Sequence, residues 1–203
     1  MPERPSPDLE RMLTDVEWAM SKQFAAKDLV PMLENLVRAA PAASEAAYFA
    51  KLRLSELIVG DAPFRAARLA RDVLVSGESD RAWGVLGLAH SLLGNYRVAA
   101  RSYRRALALA PDVAVYDHNL GHLLDVAMNR PRAALAHLAR AHRGLPEESE
   151  VASSYAHALL RSGQPERAYE LLCKAVRTEA EAREILKAWQ CANGNTAEGG
   201  PGL

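Results

Sequence analysis

Apolar residues recur along most of this chain at helical spacing, in blocks that short polar turns separate. The clearest pair of blocks lies between residues 80 and 111. The turn Gly94-Asn95 ends the first block, since both residues adopt a left-handed backbone at little cost, and Pro111 ends the second. The first block carries its apolar residues on one helix face: Trp83, Leu86, Ala89 and Leu93. The pattern predicts a hairpin of two helices.

A glycine inside the first block indicates how the two helices pack. Gly87 costs about 1 kcal/mol relative to alanine in a helix interior. We therefore expect the second helix to come close at this point. Ala99 and Ala106 are small enough to allow that approach, and Tyr103 fills the space between them.

These residues resemble the signature of the tetratricopeptide repeat: Trp-x2-Leu-Gly-x2-Tyr, then Ala-x3-Phe, then Pro. His90 and Tyr103 stand where the family usually has Tyr and Phe. The resemblance implies an all-α fold, a right-handed superhelix of stacked α-α hairpins. We expect non-consensus helices at its N-terminal end and a capping helix at its C-terminal end, because solenoids need a cap with a polar outer face.

The same pattern, with Leu120-Gly121 repeating Leu86-Gly87, divides the chain into successive units. One extra residue is expected in the turn at Met128–Pro131. Residues 8–40 are read as a cap, a divergent repeat or a dimerisation element. The predicted units are a disordered leader (1–7), an N-terminal helical pair (8–40), a degenerate repeat (41–79), three repeats (80–112, 113–147 and 148–178), a capping helix (179–192) and a disordered tail (193–203).

In the family, the first helices of the hairpins line a concave groove that holds a peptide or helix of a partner protein. Relatives that capture a C-terminal carboxylate use basic and amide residues there. Here Gly84 and Leu88 replace two of these residues, and Glu150 stands where a basic one is required, so we reject a carboxylate clamp. The groove positions carried over to this sequence are Arg81, Leu88, Val115, His118, Asn119, His122, Asp125, Ser153, His157 and Arg161.

Three of these groove residues are histidines. His118 and His122 are four residues apart and share a helix face, and His157 has the repeat position of His122. Together with Asp125 they form an alternative zinc site, since His-x3-His on a helix can bind a metal. No catalytic signature and no cysteine ligand accompanies them, so groove polarity is the preferred interpretation. No cofactor and no enzyme activity are expected.

Composition bounds the partners. The chain has 203 residues and zero formal net charge, which argues against wholesale attraction to nucleic acid or membrane. Its two cysteines, Cys173 and Cys191, lack metal-type spacing and are expected to be free thiols. With no signal-like leader and no apolar run long enough to span a bilayer, a cytoplasmic location is expected. Most of the arginines between residues 97 and 143 are expected on second helices and should form a convex stripe. A solvated face is the preferred interpretation, and an acidic partner is the alternative: Arg97, Arg101, Arg104, Arg105, Arg130, Arg132, Arg140 and Arg143.

The sequence therefore predicts a non-enzymatic adaptor or scaffold that binds a peptide or amphipathic helix of another protein. Two alternatives stay open. One is a bacterial assembly or secretion chaperone. The other is a structural scaffold that forms homo-oligomers through residues 9–39. Neither nucleic-acid binding nor membrane insertion is expected.

Overall fold

The computed structural model describes the backbone of residues 6–195 and the side chains of residues 6–192. These residues form helices and turns with no strand among them, so the predicted all-α fold is confirmed. The helices are α1 (Pro7–Ser21), α2 (Ala26–Ala39), α3 (Glu45–Ile58), α4 (Pro63–Ser76), α5 (Asp80–Leu92), α6 (Tyr96–Leu109), α7 (Ala114–His122), α8 (Pro131–Gly144), α9 (Ser149–Arg161), α10 (Pro165–Ala175) and α11 (Glu179–Asn195).

The chain forms two compact units, residues 1–109 with α1–α6 and residues 110–203 with α7–α11. In each unit, consecutive helices pack on one another. The first unit has a continuous apolar core that runs from Leu9 to Ala89. In the second, Ile185, Leu186 and Trp189 of α11 pack against the core of α9 and α10.

The hairpin of α5 and α6 shows why its glycine is needed. A Cβ atom on Gly87 would lie 2.5 Å from the ring of Tyr103, closer than real Cβ contacts allow. Tyr103 is 1% exposed, and burial raises the pKa of its phenol to about 12. The same arrangement recurs between α7 and α8, where a Cβ on Gly121 would lie 2.6 Å from Leu138. Close packing at glycine is therefore a repeated feature of the fold.

The extra residue of the second hairpin lies within its first helix, not in the turn at Met128–Pro131 as predicted. Helix α7 continues as a π-helical segment at Leu123–Ala127. There the N–H of Met128 donates to the carbonyl of Leu123, five residues earlier, at 3.0 Å. A π-turn accommodates one additional residue without ending a helix. The turn itself keeps its usual form, since Asn129 has φ 51°, close to the 73° of Gly94 and the 83° of Gly163.

Two predicted boundaries are wrong by a few residues. Helix α1 begins at Pro7, inside the predicted leader, because Ser6 caps it by accepting a hydrogen bond from the N–H of Leu9 at 3.3 Å. Helix α11 continues to Asn195, past the predicted start of the tail at residue 193, and helix ends are the least certain feature of such a pattern. The rest of the predicted leader (1–5) and tail (196–203) lies outside the described residues.

None of the helices described between residues 6 and 195 combines the length and apolar character needed to cross a bilayer.

Candidate functional site

A cavity of about 710 Å³ opens in the second unit, and α9 forms its centre. We call it the α9 groove. It contains three of the predicted groove residues, His122, Ser153 and His157. The other lining residues come from the π-helical segment, from α9 and from the C-terminal helices: Val126, Ser149, Glu150, Ser154, Leu172, Ala175, Val176, Arg177, Glu181 and Trp189.

Apolar and polar side chains line the groove together. Val126 is 52% exposed, and the indole of Trp189 meets the ring of His157 edge-on, with 5.0 Å between ring centroids. Ser153 and Ser154 of α9 add hydroxyl groups to the lining. The arrangement therefore offers contact area for an apolar side chain together with hydrogen-bonding groups.

Two of the predicted histidines share a serine. His118 Nε2 lies 3.1 Å from Ser154 Oγ, and His122 Nδ1 lies 3.5 Å from the same atom. Burial lowers the pKa of the His118 imidazole, while nearby Glu150 opposes that shift. His118 is thus a neutral hydrogen-bonding group near pH 7, half-buried behind the groove, and His122 is exposed in it.

Asp125 was predicted to face a partner, and this is wrong, because its side chain is 2% exposed. Its Oδ2 lies 2.5 Å from His157 Nδ1, and its Oδ1 accepts from Arg161 Nη1 at 2.9 Å. Arg161 also donates to the backbone carbonyl of Asp125 and to the side chain of Asn129. Asp125 lies within the π-helical segment, where the added residue shifts side chains out of the register of a regular helix.

We call these side chains the Asp125 clamp: Asn129, Arg161, Asp125 and His157. Its members join the π-helical segment and the turn before α8 to α9. The ring of His157 in turn contacts Trp189 of α11. Buried charges are kept only when they are paired, so the clamp holds two walls of the groove in one geometry. Arg161 consequently supports the groove instead of lining it.

A second buried aspartate has partners of the same types. Asp117 is 2% exposed; its carboxylate receives two hydrogen bonds from Arg140, at 2.6 and 2.8 Å, and lies 2.7 Å from His137 Nδ1. This pairing raises the pKa of the Arg140 guanidinium. Asp117 occupies the position that Trp83 has in the preceding hairpin, so an ion pair between α7 and α8 stands where that hairpin has an aromatic side chain.

The remaining predicted residues lie elsewhere. Val115 and Asn119 are on α7 but outside the α9 groove. Arg81 and Leu88 belong to the first unit, where Arg81 Nε and Nη2 donate to both carboxylate oxygens of Glu56, at 2.7 and 2.6 Å. No group of three or more His, Cys, Asp or Glu residues suited to a metal occurs in the part of the chain that the structure describes. The zinc alternative at His118, His122 and His157 therefore has no structural support.

Sequence reasoning missed Val126, Arg177, Glu181 and Trp189 as groove residues. The sequence placed Trp189 on the apolar face of α11. Its position in the groove could not be predicted, because it depends on the packing of α11 beside α9. Val126 lies within the π-helical segment Leu123–Ala127, where the added residue removes the regular repeat spacing.

Comparisons with known proteins agree with this architecture. Residues 80–113 match the family model described as "Tetratricopeptide repeat". Protein FlbA of Caulobacter vibrioides is 32% identical over 134 residues, which are 66% of this chain and 20% of that protein. The chain thus spans about a fifth of the length of the curated relative it matches.

Solved structures of MamA have a similar fold. One from Desulfovibrio magneticus RS-1, covering residue 41 to the end, has a TM-score of 0.70 at 14% identity, over 91% of this chain and 98% of that one. Another MamA crystal structure has a TM-score of 0.66 at 18% identity, over 90% of this chain and 95% of that one. At such identities the likeness shows the fold.

Proposed function

Because this chain is a tetratricopeptide-repeat protein, we propose that it is a non-enzymatic adaptor that holds a segment of another protein in the α9 groove. The fold is that of a protein–protein interaction scaffold. The observation that carries the proposal is the groove itself, about 710 Å³ in volume, with an apolar wall beside serine and histidine side chains. Binding sites combine apolar contact area with a few polar groups in this way.

The apolar contacts supply the affinity. A partner's aliphatic or aromatic side chain fits between Val126 and Trp189, where it removes exposed apolar surface from water. Ser153 and His122 provide hydrogen bonds to the partner's backbone. The partner is therefore an amphipathic segment, either helical or extended.

The Asp125 clamp lowers the cost of binding. Because Asp125 is buried and bonded to both His157 and Arg161, the groove walls keep their geometry without a partner. A preformed site loses less conformational entropy on binding than a flexible one.

The charges of the groove disfavour a partner segment that ends in a C-terminal carboxylate. Glu150 and Glu181 both line the groove, and Arg177 is the basic side chain beside them among its lining residues. A C-terminal carboxylate would meet repulsion from Glu150. An internal segment, or one with a basic residue, fits better.

Site-specific photo-cross-linking in the native cell tests the proposal. A photoreactive phenylalanine at Val126 should trap a partner protein, and the same residue at Phe64, which is 76% exposed on α4, should not trap that protein. Adding Ser153→Glu should remove the Val126 product without unfolding, since Ser153 is on the groove surface. If Phe64 gave the same product, or if Ser153→Glu left the Val126 product unchanged, the groove would not be the binding site.

Self-association is the second candidate, and an exposed aromatic pair favours it. Trp18 is 55% exposed and Phe24 is 39% exposed, and their rings meet edge-on at 5.4 Å. Large exposed aromatic side chains are typical of interfaces. Light scattering should then show a dimer or larger species that becomes a monomer in the Trp18→Ser/Phe24→Ser variant and persists in the control Leu109→Ser. An unchanged mass in the double variant would exclude this interface.

The bacterial chaperone role and the cytoplasmic location remain predictions from the sequence.

A further inference from the structure

The first unit carries a second cavity, which the adaptor function does not use. It measures about 440 Å³ and lies among α4, α5 and α6. We call it the α4–α6 pocket. Its lining is mostly apolar: Leu74, Val75, Trp83, Leu86 and Val98, with Arg71, His90 and Ser102.

The apolar lining is open to water. Val75 is 89% exposed at the pocket's edge, whereas Leu86 at its base is 4% exposed. Such a gradient from buried base to exposed rim lets one apolar side chain enter and become covered.

Basic side chains surround this pocket. Arg71 lines it, and Arg68 lies one turn earlier on α4. Arg101 lies on the turn of α6 between Val98 and Ser102. All three are exposed, and among residues 6–192 none of them forms an ion pair with a carboxylate.

The nearby acids are already engaged. Glu78 accepts from Trp83 Nε1 at 2.8 Å and from Arg105 at 2.9 Å. Asp72 lies 4.0 Å from Lys51 of α3. The pKa of His90, which lines the pocket, is lowered first by burial and then by the positive charge of Arg71. The field at the pocket mouth is therefore positive.

We propose that the α4–α6 pocket docks an acidic amphipathic segment of a partner protein. One apolar side chain of that segment fills the pocket beside Val75 and Val98. Its Asp or Glu residues, one helical turn away, pair with Arg71 and Arg101. This gives the arginines around the α4–α6 pocket a defined partner chemistry, and it needs no contact with the α9 groove.

Selection from random 16-residue peptides displayed on phage, with the full chain as bait, tests this. The enriched peptides should combine a large apolar residue with Asp or Glu. In fluorescence anisotropy, a fluorescein-labelled enriched peptide should bind about tenfold or more weakly to Val75→Asp and to Arg71→Glu. The control Arg143→Glu makes the same charge change at an exposed residue of α8 and should bind as the unaltered chain does. Changing the contacting peptide Glu to Lys should restore binding to Arg71→Glu.

The same assay separates this proposal from the adaptor function, because His122→Glu/Val126→Glu should leave peptide affinity unchanged. Four results would overturn the inference. The enriched peptides could lack acidic residues, or bind Val75→Asp as well as the unaltered chain. Peptides could be selected only by a chain ending at residue 195, which would make the chain's own C-terminal segment the occupant. A single-stranded oligonucleotide could displace the peptide and bind Val75→Asp equally, which would indicate a polyelectrolyte surface.

Discussion

At the scale of single residues, a few side chains with unusual burial explain the packing. Glycine is required at positions 87 and 121, because Tyr103 and Leu138 occupy the space that a Cβ atom would need. Asp117 and Asp125 are buried because each has an arginine and a histidine as partners. In both cases the residue is understood only together with its neighbour on another helix.

Gly87→Ala should lower the free energy of unfolding by about 1–3 kcal/mol, because overpacking a filled interior forces backbone or side-chain shifts. That loss should appear although alanine itself favours a helix. Urea unfolding followed by circular dichroism measures it. Gly60→Ala is the matched control, since nothing lies within 4 Å of a Cβ there, and its stability should be nearly unchanged. Equal effects of the two changes would contradict the packing argument.

His118 should make stability depend on pH. Its pKa in the folded chain is below the ordinary value of 6.5, so the unfolded chain takes up the proton first as the pH falls. The free energy of unfolding should therefore decrease from about pH 7.5 to about pH 5.5. His118→Gln should show a flatter curve over that range, by urea unfolding at a series of pH values. Parallel curves for the two proteins would rule out this contribution.

At the scale of helices, the π-helical segment Leu123–Ala127 sets the groove's geometry. It turns Asp125 toward α9 and leaves Asn129 in the left-handed position that glycine has in other turns. Repeat arithmetic predicted that a residue was added, since α5 begins 34 residues before α7 and α7 begins 35 before α9. It could not locate the residue, because both a longer turn and a π-turn fit the same count.

Deleting Ala127 should convert the segment to regular α-helix and separate Asp125 from Arg161 and His157. We expect helix content to persist, because Gly121 and Asp117 still fix α7 to α8. Hydrogen exchange in α9 should become faster, and partner cross-linking at the groove should weaken. Deleting Ala42 from the exposed turn before α3 serves as the control. Unchanged exchange in α9 would show that the Asp125 clamp does not hold the groove.

At the scale of the whole molecule, the chain has two compact units, each with its own core. The helical periodicity predicted the all-α fold, and the turn residues Gly94 and Gly163 placed its hairpins. The groove was only partly predictable: His122, Ser153 and His157 line it, but Asp125 does not. Trp189 depends on how α11 returns to α9, which is a long-range contact that local patterns do not encode.

A chain that ends at residue 178 lacks α11 and should lose stability in the second unit alone. Its removal uncovers apolar residues of α9 and α10, including Leu159 and Leu172, which are 2% and 0% exposed. Hydrogen exchange should accelerate in α9 and α10 and stay unchanged in α3–α6. A chain that ends at residue 195 should match the full one. Faster hydrogen exchange in α3–α6 as well would mean that the two units do not unfold separately.

The added residue in α7 also affects how such proteins are recognised. The family match covers residues 80–113, which is the length of one 34-residue repeat and ends just before this helix. A search that assumes a constant repeat length would lose alignment across α7, where the added residue lies. One residue inserted into a helix can thus bring a side chain such as Asp125 to a different neighbour, while the adjacent hairpins keep their packing. Comparisons of these solenoids should therefore permit gaps within helices as well as between them.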